Sequence, residues 1–297
     1  MVTIYLKNLR SGDFGVWHDI YAGKAASDVL ILGSSRAVYH FNPRILENVL
    51  HKTVYNLGMD GQNIDIELAR LHVYLQHNAK PDIIIHSLDF HMLSRPKDLY
   101  NYQQFLPYLA DTALSKYLKG YNGFSKYDYV IPMAKYAGEW KLTANAIKNK
   151  LKPSANMYNT YKGHKGQDLV WNSDLDKAHK LYPNALNIIL NKNSISEFED
   201  YLKLCKTLDI KLIFVYSPEY IEGQRFILNR TVLLAMYRKY AEYYSIPFLD
   251  YSKDPMCMDR SFFYNSLHMN KSGADLFSKK LSEDLKPIIA ASNEILK

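Results

Sequence analysis

The feature that most constrains this chain is a short apolar run that stops on glycine and serine. Residues 28–33 read Asp-Val-Leu-Ile-Leu-Gly, and Ser34, Ser35 and Arg36 follow at once. A run this short, closed by glycine, predicts a strand buried on both faces rather than a helix. Strands of that kind belong to parallel sheets covered by helices on both sides.

The same rhythm recurs along the chain. Strands are predicted over 53–57, 82–87, 211–216 and 246–249, with helical patterns between them. Asn42 and Pro43 open a helix to about Leu50, as N-cap and first-turn proline. Ile64, Leu68, Leu71 and Leu75 mark one helical face, with Asn63 as its N-cap and Asp65 and Glu67 in the favoured first turn. Ser194 and Glu197 form a capping box for a helix buried through Ile195, Phe198, Leu202, Cys205 and Leu208. A further helix spans about 225–244. The last one carries Ala274, Phe277, Leu281 and Leu285 on one face and stops at Pro287.

Residues 94–190 break the alternation. They are rich in Tyr, Lys and Asn, contain Trp140 and Trp171, and give weaker helical signals around 108–119 and 139–151. They read either as an insertion that caps a site or as a peripheral subdomain. The fold class is therefore α/β: a flavodoxin-like three-layer α/β/α sandwich with a parallel five-stranded sheet and a helical, aromatic-rich insertion. The chain reads as one domain over 1–297, with 94–190 inserted.

Composition removes several classes. Hydrophobic residues are 47 % of the 297 and charged residues 23 %, an ordinary globular balance. The net charge of +7 favours acidic partners, but its clusters, such as Lys148–Lys150–Lys152 and Lys279–Lys280, are short. Two cysteines, Cys205 and Cys257, give neither a disulfide framework nor a zinc spacing. No segment has the roughly 20 uninterrupted apolar residues of a membrane span, and Met1 to Arg10 lacks the apolar region and cleavage site of a secretory leader. No phosphate loop, dinucleotide fingerprint or basic-aromatic nucleic-acid motif is present.

Ligands of such sheets sit beyond the carboxyl ends of the strands, near the switch in strand order. Three sequence features fall there. Gly33-Ser34-Ser35-Arg36 presents a serine hydroxyl at a strand-to-helix turn. Asn56 to Asn63, with Gly58 and Gly61, lets backbone N–H groups face a ligand closely. Asn265-Ser266-Leu267-His268-Met269-Asn270 puts a histidine in a loop at a helix entrance, where it can act as the base a serine needs. Each alone is also an ordinary turn, cap or surface loop; the order of the three is more specific.

That order resembles the SGNH (GDSL-like) hydrolase superfamily. Ile31 to Ala37 is similar to its first block, whose serine corresponds to Ser35 rather than Ser34. Asn56 to Gly61 is similar to the second block, whose last glycine, here Gly61, lends an N–H to the oxyanion. Phe263 to Asn270 is similar to the last block and makes His268 the base. The resemblance covers roughly 28–93 and 194–285. It departs at two points. Asn265 stands where the family has Asp, so it can accept the imidazole N–H but cannot stabilise an imidazolium by charge; Asp250, Asp254 or Asp259 are nearby sources of that charge. The third block's Asn is missing from Ile85-His86-Ser87-Leu88-Asp89-Phe90, leaving Asn63 or a backbone group as substitutes. Both departures resemble divergent cell-envelope and exopolysaccharide members.

The resemblance implies a serine esterase or O-acyltransferase acting on O-acetyl or other short acyl esters, carried on a glycan or small molecule, with no cofactor or metal. Ser35, His268 and Asn265 would be catalytic, and Gly61, Asn63, Arg36 and Asp89 would bind substrate or oxyanion. It also implies an extracytoplasmic setting, periplasm or cell surface, any membrane tether lying outside these residues. The alternative is a catalytically weak or inactive relative that binds glycan or assists its assembly. His86, Asp89 and His91 form a minor candidate metal trio, although 86 and 91 have opposite strand parity.

Overall fold

The computed structural model describes residues 2–10, 12–131, 133–151 and 160–295. Lys152, and 152–159 of the insertion, lie outside them. The elements run α1 (Val2–Lys7), α2 (Gly12–Tyr21), β1 (Val29–Gly33), α3 (Ser35–His40), α4 (Pro43–Leu50), β2 (Val54–Asn56), α5 (Ile64–His77) and β3 (Ile83–Ser87). After these come α6 (Thr112–Leu118), α7 (Trp140–Leu151), β4 (Thr160–Tyr161), β5 (His164–Lys165) and α8 (Asp174–Leu181). The chain closes with α9 (Lys192–Thr207), β6 (Lys211–Tyr216), α10 (Ile221–Arg225), α11 (Arg230–Tyr243), β7 (Phe248–Asp250) and α12 (Lys271–Ile295).

The main sheet has five strands in the order β2-β1-β3-β6-β7, and every pairing is parallel. β1 and β3 are buried at every residue, as expected of apolar runs in a sheet covered on both faces. Strand alternation divides the core. Leu30, Leu32, Ile84, Leu212 and Phe214 pack with Trp17 of α2, Leu68 of α5, Phe198 of α9 and Tyr237 of α11. Val29, Ile31, Ile85, Ile213 and Val215 pack against Leu46 of α4 and Ala274, Phe277, Leu281 and Leu285 of α12. Helices thus flank the sheet on both sides. The strand order reverses between β1 and β3, which opens the crevice where such sheets hold ligands.

Several helix boundaries differ from the sequence reading. Asn191, not Ser194, caps α9, accepting from the Asn193 and Ser194 N–H groups; Ser194 is buried inside the helix. Asn63 precedes α5 but makes no side-chain cap, because its amide is used elsewhere. The helix expected over about 225–244 starts later, as α11 at Arg230, and a separate short α10 (Ile221–Arg225) precedes it. α12 continues through Pro287: the lost hydrogen bond is outweighed because Ile289, one turn's reach beyond, is still buried against the sheet. Among the described residues no helix is long and apolar enough to cross a membrane.

The insertion returns to the sheet as a small hairpin. β4 and β5 pair antiparallel, and the turn between them rests on the exposed edge of β2, where Asn56 N–H donates to the Lys162 carbonyl at 2.9 Å. Lys162 and Tyr161 both reach the Glu47 carboxylate, and His164 Nδ1 lies 2.9 Å from the Val38 carbonyl. Gly163 makes this approach fit: its φ is +85°, and a Cβ there would sit 1.9 Å from the Asn56 carbonyl oxygen. Gly163→Ala should therefore cost about 1–3 kcal/mol of stability. Urea unfolding checks this as a lowered midpoint at unchanged m-value. Gly120→Ala, also at positive φ but in open space, should lose clearly less. Equal losses would mean that the hairpin contact does not bear on stability.

Candidate active site

Two adjacent serines leave β1 and take different partners. Gly33 ends the strand at φ +142°, and a Cβ there would come 2.7 Å from the Ser87 carbonyl, so only glycine fits the turn. Ser34 follows in the turn, and its hydroxyl bonds Asp89, just past β3. Ser35 is the first residue of α3, and its Oγ lies 2.7 Å from Nε2 of His268, which is 233 positions away in sequence. Gly58 permits the β2 loop to lie across α3, since a Cβ there would meet Ala37 and Val38 at 2.8 Å.

The loop carrying His268 is held from below by a second histidine. The Met269 N–H donates to His40 Nε2 at 3.0 Å. That bond fixes the tautomer: Nδ1 carries the proton and donates to Ser217 Oγ at 2.8 Å. Burial, then the charge of Arg36, push the His40 pKa well down, so the ring is neutral as this network needs. Arg36 shares the Ser217 hydroxyl and carbonyl, pairs with Glu219 at 3.7 Å and lies over the Tyr216 ring. Glu219 also takes Arg230 at 3.3 Å and the Tyr216 hydroxyl at 2.5 Å.

His268 itself is packed between rings. Tyr264 stacks on it at 5.5 Å, and Tyr39 meets it edge-on at 5.2 Å. The Tyr39 hydroxyl donates to Asp60 at 2.6 Å. For Nε2 to accept from Ser35, the neutral ring must carry its proton on Nδ1. That atom is buried and has no hydrogen-bond partner among the described residues. Burial first, then the nearby positive Arg36 and His91, lower the His268 pKa to about 3.

The expected supports of this dyad lie elsewhere. Asn265 does not touch the ring: its Oδ1 accepts the Leu267 and His268 N–H groups at 3.0 and 2.8 Å, closing its own turn. Asp250 is held by Arg238, Asp254 by Lys280, and Asp259 caps the Ser261 N–H. Asn63 is turned away, its amide donating to the Ser94 carbonyl and the Tyr121 hydroxyl. Arg36 is buried and committed to Ser217 and Glu219, so it does not face a substrate. The Gly61 N–H makes no hydrogen bond among the described residues; the residue is exposed at φ +67° beside Tyr100.

The carboxylate of this crevice belongs instead to His91. Asp89 Oδ1 accepts from His91 Nδ1 at 2.8 Å and from its backbone N–H at 2.9 Å, and the Tyr237 hydroxyl bonds the Asp89 carbonyl. Burial would lower the His91 pKa, but Asp89, by charge and by hydrogen bond, raises it above the ordinary value. His86 points to the opposite side of β3, where Nε2 sits 3.0 Å from Glu67 in a fully buried pair. Burial drives both to their neutral forms, His86 to about 3 and Glu67 well above the carboxylate range. The described residues contain no group of three or more potential metal ligands.

Sequence reasoning missed His40, Ser217, Glu219 and the role of Tyr39. The signal for two of them is legible: Ser217-Pro218-Glu219 directly follows β6, at the same end of the sheet as Ser34 and Asp89.

No protein-family model matches the sequence, and no curated protein matches it. Solved structures that match include a chain described as a lipolytic protein of the G-D-S-L family from Desulfitobacterium hafniense. It is 12 % identical, over 86 % of this chain and 97 % of that one, with a TM-score of 0.41. Another is described as an acylhydrolase from Bacteroides fragilis, 11 % identical, with 87 % of each chain covered and a TM-score of 0.39.

The geometry separates two roles for Arg36. Removing its charge strands Glu219 in the interior, a change that costs roughly 3–5 kcal/mol for a buried pair. Arg36→Met should fall at the low end, because Arg230 and Tyr216 remain on Glu219. Urea denaturation reads the loss. A variant of undiminished stability with a raised KM for an ester would instead make Arg36 a substrate ligand.

Proposed function

We propose that this chain is an SGNH-type serine esterase or O-acyltransferase acting on short acyl esters, with Ser35 as nucleophile and His268 as base. The observation that carries the reading is the 2.7 Å contact between Ser35 Oγ and His268 Nε2 at the switch of a parallel sheet. The strand order, 2-1-3-4-5 when only the five strands are counted, supports the flavodoxin-like description.

In this mechanism His268 Nε2 takes the Ser35 proton as Oγ attacks the ester carbonyl. The tetrahedral oxyanion is held by N–H groups. Ser35 N–H, at the first position of α3, has no partner within the helix, and Gly61 N–H is uncommitted. The imidazolium returns its proton to the leaving alcohol, giving an acyl-Ser35 intermediate. Water then yields the acid, or a sugar hydroxyl yields a transferred ester. The Ser35 residue is only 6 % exposed, and Tyr39 and Tyr264 flank the base; that crowding favours an acetyl-sized group. Tyr100, exposed beside Gly61, and the aromatic insertion suit a sugar carrier. The same reading takes 1–297 as one domain with 94–190 as its cap, working outside the cytoplasm on an acylated glycan.

One observation favours a second reading, a weakly active or inactive glycan-binding relative. The His268 Nδ1 atom has no carboxylate behind it, and loss of such a partner elsewhere costs about 10⁴ in rate.

Release of p-nitrophenol from p-nitrophenyl acetate distinguishes the two. The parent should turn over above background, Ser35→Ala should not, and His268→Ala should lose about 10²–10⁴-fold. A fluorophosphonate probe should label Ser35. Equal release by the parent and Ser35→Ala, with no label, would overturn the esterase reading and favour the second. Asn265→Asp should leave the rate within a few fold, because residue 265 bonds backbone and not the imidazole. A large gain would show that the ring can reach it.

A further inference from the structure

The end of the sheet that carries the dyad also carries His91, a histidine that the dyad does not use. We infer that His91, clamped by Asp89 through its ring and its backbone, supplies the side-chain donor to the oxyanion that the missing third-block asparagine would otherwise supply. The inference rests on the esterase reading above.

Placement comes first. Asp89 binds Ser34 with one carboxylate oxygen and His91 with the other. His91 is therefore fixed, through one carboxylate, to the residue preceding the nucleophile. Its positive charge acts with burial to lower the His268 pKa and counters part of the rise that burial gives Asp60. Asp60 is in turn bonded to Tyr39, whose ring touches His268. The Ser34–Asp89–His91 chain sets His91 at the same end of the sheet as the base. Its side chain is 31 % exposed while Asp89 is 1 % exposed. The clamped edge of the ring is thus inside, and Nε2 is the free donor.

Chemistry comes second. With Nδ1–H given to Asp89, only the protonated ring has a hydrogen on Nε2. An imidazolium there offers a charge-assisted bond to a developing alkoxide. The neutral ring would present a lone pair to the same oxygen and repel it. The groups facing His91 are Asp89 after β3, Glu67 of α5, Arg36 of α3, Asp60 after β2 and His268. Asp89 is held ionised, its pKa lowered although burial alone would raise it, by His91, Arg36 and the Ser34 hydroxyl. Glu67 is held neutral by burial. Asp89 thus dominates, and favours the protonated form of His91.

The two histidines then give an inverted pH profile. The His268 pKa is lowered, so its base form persists down to acid pH. The His91 pKa is raised, so its donor form is present at low pH and is lost as pH climbs through that value. Turnover should be highest on the acid side and fall as the medium becomes alkaline, whereas a lone ordinary histidine base makes turnover rise through pH 6.5.

The test is kcat and KM for p-nitrophenyl acetate from pH 4.5 to 9 on the full chain, with His91→Ala, His91→Gln and Asp89→Asn. His91→Ala should lower kcat about 10²–10³-fold with KM little changed, and the alkaline decline should vanish. His91→Gln keeps an N–H donor without the proton switch, so it should regain part of kcat and show a flat alkaline arm. Asp89→Asn should move the decline to lower pH. Imidazole NMR of the Ser35→Ala protein gives a reading without turnover: His91 should titrate above the ordinary histidine value. Wild-type turnover with a His91→Ala kcat within threefold, or a His91 pKa below that value, overturns the inference and leaves the esterase standing. Absence of any Ser35-dependent turnover or labelling overturns both.

Discussion

The site depends on one buried neutral imidazole. His40 receives the Met269 N–H on one nitrogen and gives its proton to Ser217 on the other. Through those two bonds it joins the end of α3, the turn after β6 and the loop that carries His268. A charged His40 could not accept from Met269. Its neutrality is enforced by burial and by Arg36, and Arg36 is itself neutralised by Glu219. Charge pairing of Arg36 with Glu219, and of Glu219 with Arg230, offsets the cost of burying these groups below the sheet's carboxyl edge. The 2.7 Å approach of Ser35 to His268 rests on this network, and no carboxylate among the described residues bonds His268 Nδ1.

Two histidines of the same crevice therefore live in opposite electrostatic settings. His268 stands between Tyr39 and Tyr264, without an acceptor for Nδ1, and is driven toward the uncharged base. His91 has Asp89 on both its ring and its backbone, and is driven toward the cation. Environments that push two like groups apart are the usual way a fold assigns acid and base roles at one pH. The carboxylate that the SGNH pattern places behind its base is, in this chain, behind the other histidine.

The insertion joins the rest of the chain through both backbone and side chains. The β4–β5 turn uses the free edge of β2, and its bonds to Asn56 and Val38 hold it over α3. Residues 160–174 then run past the His268 loop, where Asn172 N–H meets the Tyr264 carbonyl.

The sequence by itself determined the sheet, because the buried central strands read as unbroken apolar runs, and glycine marks the turns after β1 and β2. It also singled out Ser35 and His268, since their blocks flank predicted strand and helix ends. It could not determine where α9 begins or that α12 passes Pro287, because burial of Ser194 and Ile289 overrides local capping and breaking preferences. Nor could it show that Asn265, Arg36 and Asn63 are spent on structure, or that Asp89 serves His91. Hydrogen bonds between residues far apart in the chain leave no spacing pattern; only the folded backbone decides which donor meets which acceptor.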